Sequence, residues 1–393
     1  MAKSSRIAIL TNVILNYRFP VFKELANTPG WDLRIFLSQP LSKSDPAARE
    51  RLPLHYSRTI NLSLKTHHRI VDTEQREVLP LPLFLLWDLI RFRPDVIISG
   101  DMGIRSLLAY VVAFMLNVRF VIWSEEIRET AASISFLQRR LRSFLIPRAS
   151  AYLAWGKPAV VYLDTWHVSP DRIYYCAQAV DNDFWMEKSS RCDRNSFRER
   201  LGLKGKVFLS VGQLIPRKGF DLLLKAWSRL PQNVRSENTI VIVGEGASQK
   251  ILRELATQLD IRNILFVPRQ TSEELAKYYA VADVLIFPSL VDVWGMVVNE
   301  ALACGTPVLG SRFAGASQEL INDSTIGELF DPLDANGFTA LLHKWCMMNS
   351  NVSREQIQSR ISACHFGISV SAIRKTVEDL RIPVDAAKTK ETE

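Results

Sequence analysis

Short runs of Val, Ile and Leu alternate with longer amphipathic segments along almost the whole chain. In the first half the apolar runs are RIAIL (6–10), LRIFL (33–37), DVIIS (95–99), RFVIW (119–123) and AYLAW (151–155). FPVFKELAN, PLFLLWDLIRF and SFLQRRLRSFLI lie between them and repeat their apolar positions at helical spacing. The second half repeats the scheme with VFLSVG (207–212), TIVIVG (239–244), NILFV (263–267), DVLIFPS (283–289) and PVLGS (307–311). There the helical patterns are DLLLKAWSRL, SQKILRELATQL, SEELAKYYAVA and MVVNEALAC. A strand that is apolar on both sides belongs in a sheet covered by helices on both faces, and strands alternating with helices pair in parallel. The pattern predicts two doubly wound α/β domains in tandem. Apolar periodicity lapses around AQAVDNDFWMEKSSRCDRNSFRERLGLKGK. The expected division is a first domain over 1–183, a linker over 184–204, a second domain over 205–365, a helix over 366–385 packing back on the first domain, and a disordered polar tail over 386–393.

At 393 residues the chain exceeds one ordinary core, which agrees with two domains. The formal charge of +8 favours an anionic partner without choosing among nucleotide phosphates, an acidic membrane surface and nucleic acid. Five scattered cysteines with no CxxC pair read as free thiols in a reducing compartment. No HxxxH or HExxH spacing suggests a metal. The run Leu107–Leu116 is half the length of about 20 residues that a membrane span needs, and the N-terminus carries no leader pattern, so the expectation is a cytoplasmic protein.

In doubly wound sheets ligands sit at the carboxyl ends of strands, so chemistry is sought just after them. After the run 284–289 comes VDVWG and then the helical MVVNEALAC. Gly295 allows close backbone approach, and the amides of Met296 and Val297 at a helix start suit an anion. Glu300, a turn further in, offers a carboxylate where the ribose of a bound nucleotide would hang, and Asp292 would reach the other side of the phosphate. The plainer reading makes Asp292 a solvated loop residue and Glu300 an exposed helix residue; spacing alone leaves both open. After Val211-Gly212, the loop carrying Arg217-Lys218-Gly219 sets adjacent cations before a helix, which suits a diphosphate or is a solvated basic turn.

VGQLIPRKGFDLLLKA, VIVGEGASQKIL, NILFVPRQTSEELAKYYAVADVLIFPS and VDVWGMVVNEALACGTPVLGSRFAGASQELI stand in this order. Together they resemble the C-terminal domain of family 4 glycosyltransferases, over roughly 205–330 and less closely through the first half. The E-x7-E signature of that family stands here as Asp292-x7-Glu300. The resemblance implies a GT-B fold, two Rossmann-like domains facing each other across a cleft. It implies retaining transfer of a sugar from a nucleotide-diphosphate sugar to an acceptor hydroxyl, in polysaccharide, glycolipid or lipid-linked oligosaccharide synthesis, with no metal or other cofactor. Glu300 would bind ribose, Met296 and Val297 the diphosphate, Lys218 the leaving phosphate and Asp292 the sugar. Val267-Pro268-Arg269 would hold the base, and Gly315 and Glu319 would shape the next loop. Gln213 stands where the family usually has Arg, with Arg217 as a substitute. WSEE, with Glu125, stands where many members have His after the strand 119–123. NYRFPVF, with Arg18, replaces the Gly-rich first loop. These departures bear on the sugar and the acceptor more than on the nucleotide. The rival reading is a non-catalytic GT-B module that only binds nucleotide or a partner; an epimerase fits the signature less well. Nucleic acid has only the net charge in its favour.

Asp181-Asn182-Asp183 imitates a DxD metal motif in a place where the family has a similar Val-Asp segment. Gly244-Glu245-Gly246 lacks the third glycine of a dinucleotide fingerprint, and His67-His68 reads as a polar loop pair. In 135–148, Phe136, Leu137, Leu141, Phe144 and Leu145 recur at helical spacing beside Arg139, Arg140 and Arg142. That is either a core-facing helix with a solvated basic face or a peripheral contact with anionic lipid at the inner face of the membrane.

Overall fold

The computed structural model describes residues 4–39, 52–68, 73–82, 84–131, 134–348 and 352–381. The tail 386–393 lies outside them. The first half contains strands β1 (Ser5–Thr11), β2 (Trp31–Leu37), β3 (Leu54–Tyr56), β4 (Thr59–His68), β5 (Thr73–Pro82), β6 (Val96–Ser99), β7 (Arg119–Ser124), β8 (Ala151–Trp155) and β9 (Ile173–Cys176). The second contains β10 (Val207–Val211), β11 (Thr239–Val243), β12 (Ile264–Val267), β13 (Val284–Phe287), β14 (Val308–Ser311) and β15 (Gly327–Phe330). They form a seven-stranded sheet in the order β3-β2-β1-β6-β7-β8-β9, a six-stranded sheet in the order β12-β11-β10-β13-β14-β15, and the separate pair β4-β5. Every pairing in the two large sheets is parallel. Thus His67 and His68 close β4 rather than sitting in a loop.

Successive residues of each central strand enter opposite cores. Val207, Leu209 and Val211 join one apolar cluster of the second sheet, while Phe208 joins the cluster on its other face. Ile7 and Ile9 oppose Ala8 and Leu10 in the same way in the first sheet. This double burial is why the strands read as continuous apolar runs.

The chain forms two compact units. The first takes the described residues up to Gln178 together with the helix Phe366–Arg381; the second takes Ala179–His365, with His68 and Thr73. Val370, Ile373 and Val377 of that final helix belong to the core that contains Ile7, Ile98 and Val121. The stretch expected as a linker over 184–204 is different: it is largely helical, in Asn182–Ser190 and Arg194–Arg200, and buries Trp185 and Phe197 in the second unit. Asp181 and Asp193 cap these helices by accepting from the amides of Phe184 and Ser196 at 3.0 and 3.2 Å. Their apolar contacts are few and widely spaced, so the many charges hide the pattern.

Candidate functional site

In the second sheet the chain order reverses between β10 and β13, which are neighbours. The loops leaving their carboxyl ends therefore diverge and open a crevice. Lys218 ends a short 3-10 turn after β10, and Gly219 follows with φ +68°. A Cβ on Gly219 would lie 2.1 Å from the carbonyl oxygen of Pro288, so only glycine lets the two loops meet this closely. The meeting is stitched: the Leu290 amide donates to the Arg217 carbonyl at 2.8 Å, and the Ser289 hydroxyl donates to the same carbonyl at 3.3 Å. It brings the Lys218 ammonium onto the Asp292 carboxylate, with the Arg217 guanidinium 4.0 Å from the same oxygen. Lys218 and Asp292 are only 14% and 15% exposed, so the pair is shielded enough to matter electrostatically. Asp292 also makes a parallel bridge with Ala314, and its carbonyl accepts from the Gly315 amide at 3.2 Å, which ties in the loop after β14.

Gly295 turns the chain from this loop into the helix Met296–Ala303 with φ +106°. A side chain there would strike the Phe287 ring at 2.5 Å. The amides of Met296 and Val297 are the first two of that helix, ahead of any intrahelical acceptor. Behind them the Trp294 indole donates to the buried Asn299 side chain at 2.7 Å and fixes the entry. Glu300 is partly exposed, and its Oε2 accepts from the hydroxyl of Tyr279, on the helix Ser272–Val281, at 2.8 Å. Desolvation raises the Glu300 carboxyl from 4.5 to about 7; the Tyr279 hydrogen bond works in the opposite direction and is outweighed.

Around this centre, Gln213 is exposed after β10; Val267 is buried at the end of β12, and Pro268 and Arg269 are exposed. The expected site residues other than Glu125 stand at the carboxyl edge of the second sheet. They form a cation pair, a helix N-terminus and two carboxylates, a set suited to an anion bearing hydroxyls. Glu319 is 9% exposed on the helix Gly315–Leu320. Among the described residues no group of three or more His, Cys, Asp or Glu is arranged to hold a metal ion. Asp181 is a helix cap, and Asn182 donates to the Cys364 carbonyl at 2.9 Å. Gly244 and Gly246 let the loop after β11 lie against Gly212 and Leu214.

Glu125 lies in the first unit, in a cluster of its own. It is paired with the Arg18 guanidinium and accepts from the Trp123 indole at 2.7 Å. Arg18 lies 5.3 and 5.6 Å from the ring centroids of Trp123 and Trp155, which stack 4.3 Å apart. Burial opposes the Arg18 charge, but Glu125 and Tyr17 outweigh it and hold the guanidinium above its usual range. Glu125, expected among the catalytic residues where many members of the resembled family carry His, thus has its carboxylate paired, as Asp292 has with Lys218. Sequence reasoning missed two features. One is Tyr279. The other is the polar knot of Asn12, Asp101 and Arg105 at the β1–β6 reversal of the first sheet, where Arg105 is 5% exposed. Its only sequence signal is the Asp101–Arg105 spacing just after an apolar strand.

Residues 193–360 match the family described as glycosyl transferases group 1. Among curated proteins, a GDP-mannose-dependent alpha-(1-6)-phosphatidylinositol monomannoside mannosyltransferase of Mycolicibacterium smegmatis is 33% identical over 155 residues, which are 37% of this chain and 40% of that protein. A D-inositol 3-phosphate glycosyltransferase of Xylanimonas cellulosilytica is 31% identical over 205 residues, 50% and 48% of the two chains. The chain thus spans about half or less of the length of these relatives. Solved structures match over nearly all of it. Anabaena HepE in complex with UDP and glucose has a TM-score of 0.71 at 17% identity, covering 96% of this chain and 99% of HepE. WaaG, a glycosyltransferase involved in lipopolysaccharide biosynthesis, has a TM-score of 0.66 at 17% identity, covering 96% and 100%. The fold is GT-B, built from two parallel-sheet α/β domains.

Proposed function

We propose that this chain, whose residues 193–360 match the group 1 glycosyltransferases, moves a sugar from a nucleotide-diphosphate donor to an acceptor hydroxyl with retention. The observation that carries the reading is the Lys218–Asp292 pair beside the start of the helix Met296–Ala303, at the strand-order reversal of the second sheet. In this reading the diphosphate lies on the amides of Met296 and Val297. Lys218 and Arg217 stabilise the charge that grows on it as the bond to the anomeric carbon breaks. Those groups carry the leaving-group charge without a metal. Asp292 stands against the donor sugar, Glu300 takes the ribose hydroxyls, and Gln213, Gly295 and the loop Val267-Pro268-Arg269 complete the nucleotide site.

The acceptor we propose is a glycan or a lipid-linked hydroxyl, bound by the first unit, in polysaccharide or glycolipid synthesis at the cytoplasmic face of a membrane. The helix Phe136–Leu145 supports contact with such a surface. It turns Arg142 inward, onto Glu126 and, at 2.8 Å, the Tyr162 hydroxyl. Phe136 and Leu137 are left 73% and 77% exposed beside exposed Arg139 and Arg140. Leu145 is buried and Leu141 packs on the core, but the first turn turns its apolar side chains outward, and apolar side chains among arginines suit anionic lipid. No helix among the described residues is long and apolar enough to cross a membrane.

The test is calorimetric titration of UDP, GDP, ADP and their common sugar conjugates, with and without Mg²⁺, into the wild type and Glu300→Gln. Metal-independent binding of one nucleotide, weakened in the variant, supports the reading and identifies the donor base. Binding without any sugar transfer to glycan or lipid-linked acceptors would favour the non-catalytic alternative, and no binding at all would remove the donor site.

A further inference from the structure

We infer that Tyr279 is a positioning residue of the donor site, holding one oxygen of Glu300 so that the other is presented to the ribose diol. The inference rests on the reading of Glu300 given above. Tyr279 is fully buried, and its ring meets that of Trp185 edge-on at 5.7 Å. Its own carbonyl accepts from the Thr306 hydroxyl at 2.7 Å, so the backbone and the ring are both held. A buried phenol needs a partner for its hydroxyl, and here the partner is Glu300 Oε2 at 2.8 Å. A glutamate on a helix surface otherwise samples several rotamers. With Oε2 fixed from behind, the carboxylate is set before ligand arrives, which reduces the cost of ordering it on binding.

The same hydrogen bond bears on ionisation. Ribose hydroxyls donate, and a carboxylate accepts from two of them where a protonated carboxyl has less capacity. Burial leaves the Glu300 carboxyl near neutrality, at about 7, and the Tyr279 hydroxyl favours its charged form. Donor affinity therefore rises as pH passes upward through that range. The titratable groups that face Glu300 include Tyr279 itself and Cys304, both held protonated by burial. Arg354, on the helix Arg354–Ile361, is engaged with the carbonyls of Cys304 and Ala282 at 2.9 Å, and Glu319 interacts with Cys364. Removing the Tyr279 hydroxyl withdraws the one interaction that favours the charged form.

The experiment measures Kd for UDP-glucose and GDP-mannose from about pH 5.5 to about pH 8.5 in wild type, Tyr279→Phe and Glu300→Gln, with KM and kcat for whichever donor turns over. Both probes carry a diphosphate diester with no ionisation of its own in that window. Wild-type Kd is expected to fall with rising pH around an inflection near 7. In Tyr279→Phe, Kd at neutral pH rises roughly tenfold and the inflection moves up by about one pH unit, while kcat at saturating donor changes far less than KM. In Glu300→Gln binding is weak and independent of pH. If Glu300→Gln loses binding but Tyr279→Phe keeps the wild-type Kd and inflection, the inference fails and the donor site stands. If Glu300→Gln binds like wild type, or neither probe binds wild type, the donor reading fails and takes this inference with it. A wild-type Kd that is flat across the window removes the ionisation part of the inference and leaves positioning to the Tyr279→Phe Kd at neutral pH; should that chain not fold, Tyr279→Leu, which also lacks the hydroxyl, is measured in its place, and a wild-type Kd there overturns the inference.

Discussion

Lys218 and Asp292 neutralise one another at the reversal point of the second sheet, so neither is free to pair with bulk ions. An arriving diphosphate competes with a preformed carboxylate contact, and Arg217, 4.0 Å away, is the second cation it meets. Lys218→Ala is expected to cut turnover about 10²-fold in a steady-state assay with whichever donor the titration identifies; near-wild-type kinetics would remove Lys218 from the leaving-group site. Glu300 gives a stability prediction with a fixed sign. Its carboxyl sits at about 7 in the folded chain against 4.5 ordinarily, so the folded state binds the proton more tightly. The stabilising contribution is present below about 4.5 and is lost as pH rises through about 7. Unliganded wild type should lose up to about 3 kcal/mol from this source across that window, and Glu300→Gln should lack that component. Parallel pH–stability curves in urea melts would show that Glu300 does not titrate there. Glu300 itself was legible in the sequence through its spacing from a strand end and a glycine. Tyr279 was not, because its contact crosses from one helix to the next over 21 residues, and no local period records that.

Elements were legible where burial was two-sided and obscure where it was not. The central strands Val207–Val211 and Val284–Phe287 are apolar at every position because both faces are covered, and the sequence shows them directly. The helices Asn182–Ser190 and Arg194–Arg200 bury little besides Trp185 and Phe197, so their charges read as a linker although Asp181 and Asp193 stand at capping positions. In the helix Phe136–Leu145 the periodicity was visible but its direction was not. The apolar positions do not all face inward, because Arg142 takes an inward place with Glu126 as counter-charge. Replacing both Phe136 and Leu137 by Ser should abolish co-sedimentation with phosphatidylglycerol-rich vesicles and leave the melting temperature within a few degrees of wild type, since surface changes cost little. Undiminished vesicle binding would remove this face from any membrane role. The turn into the helix Met296–Ala303 is less tolerant. Gly295→Ala adds a Cβ where the Phe287 ring already stands, at φ +106°. It should destabilise the chain by about 1–3 kcal/mol and weaken nucleotide binding, because the helix start must shift; unchanged affinity in calorimetry would separate that helix start from the phosphate.

At the scale of the molecule, every residue proposed to touch the donor nucleotide lies within one continuous stretch, Ala179–His365. The first unit by contrast is discontinuous. Its core includes Val370, Ile373 and Val377 from beyond that stretch, the Ser369 hydroxyl donates to the Ala177 carbonyl at 2.8 Å, and Arg374 donates to Thr28 and Glu24 at 3.0 and 3.1 Å. The final helix completes a core through contacts hundreds of residues away in sequence. This asymmetry leads to opposite expectations for two truncations. A chain stopped after His365 removes three fully or nearly fully buried aliphatic side chains from the first unit, a loss of several kcal/mol that a single domain does not absorb. Thermal unfolding should then show the first unit's transition lowered or absent while the second unit's remains. The fragment Ala179–His365 expressed alone retains both faces of its own sheet. It should fold cooperatively and bind the nucleotide that the whole chain binds, with a Kd within about tenfold and without sugar transfer. A folded fragment that fails to bind, beside a full-length chain that does, would mean that the donor site needs residues of the first unit and that the cluster around Lys218, Asp292 and Glu300 is insufficient by itself.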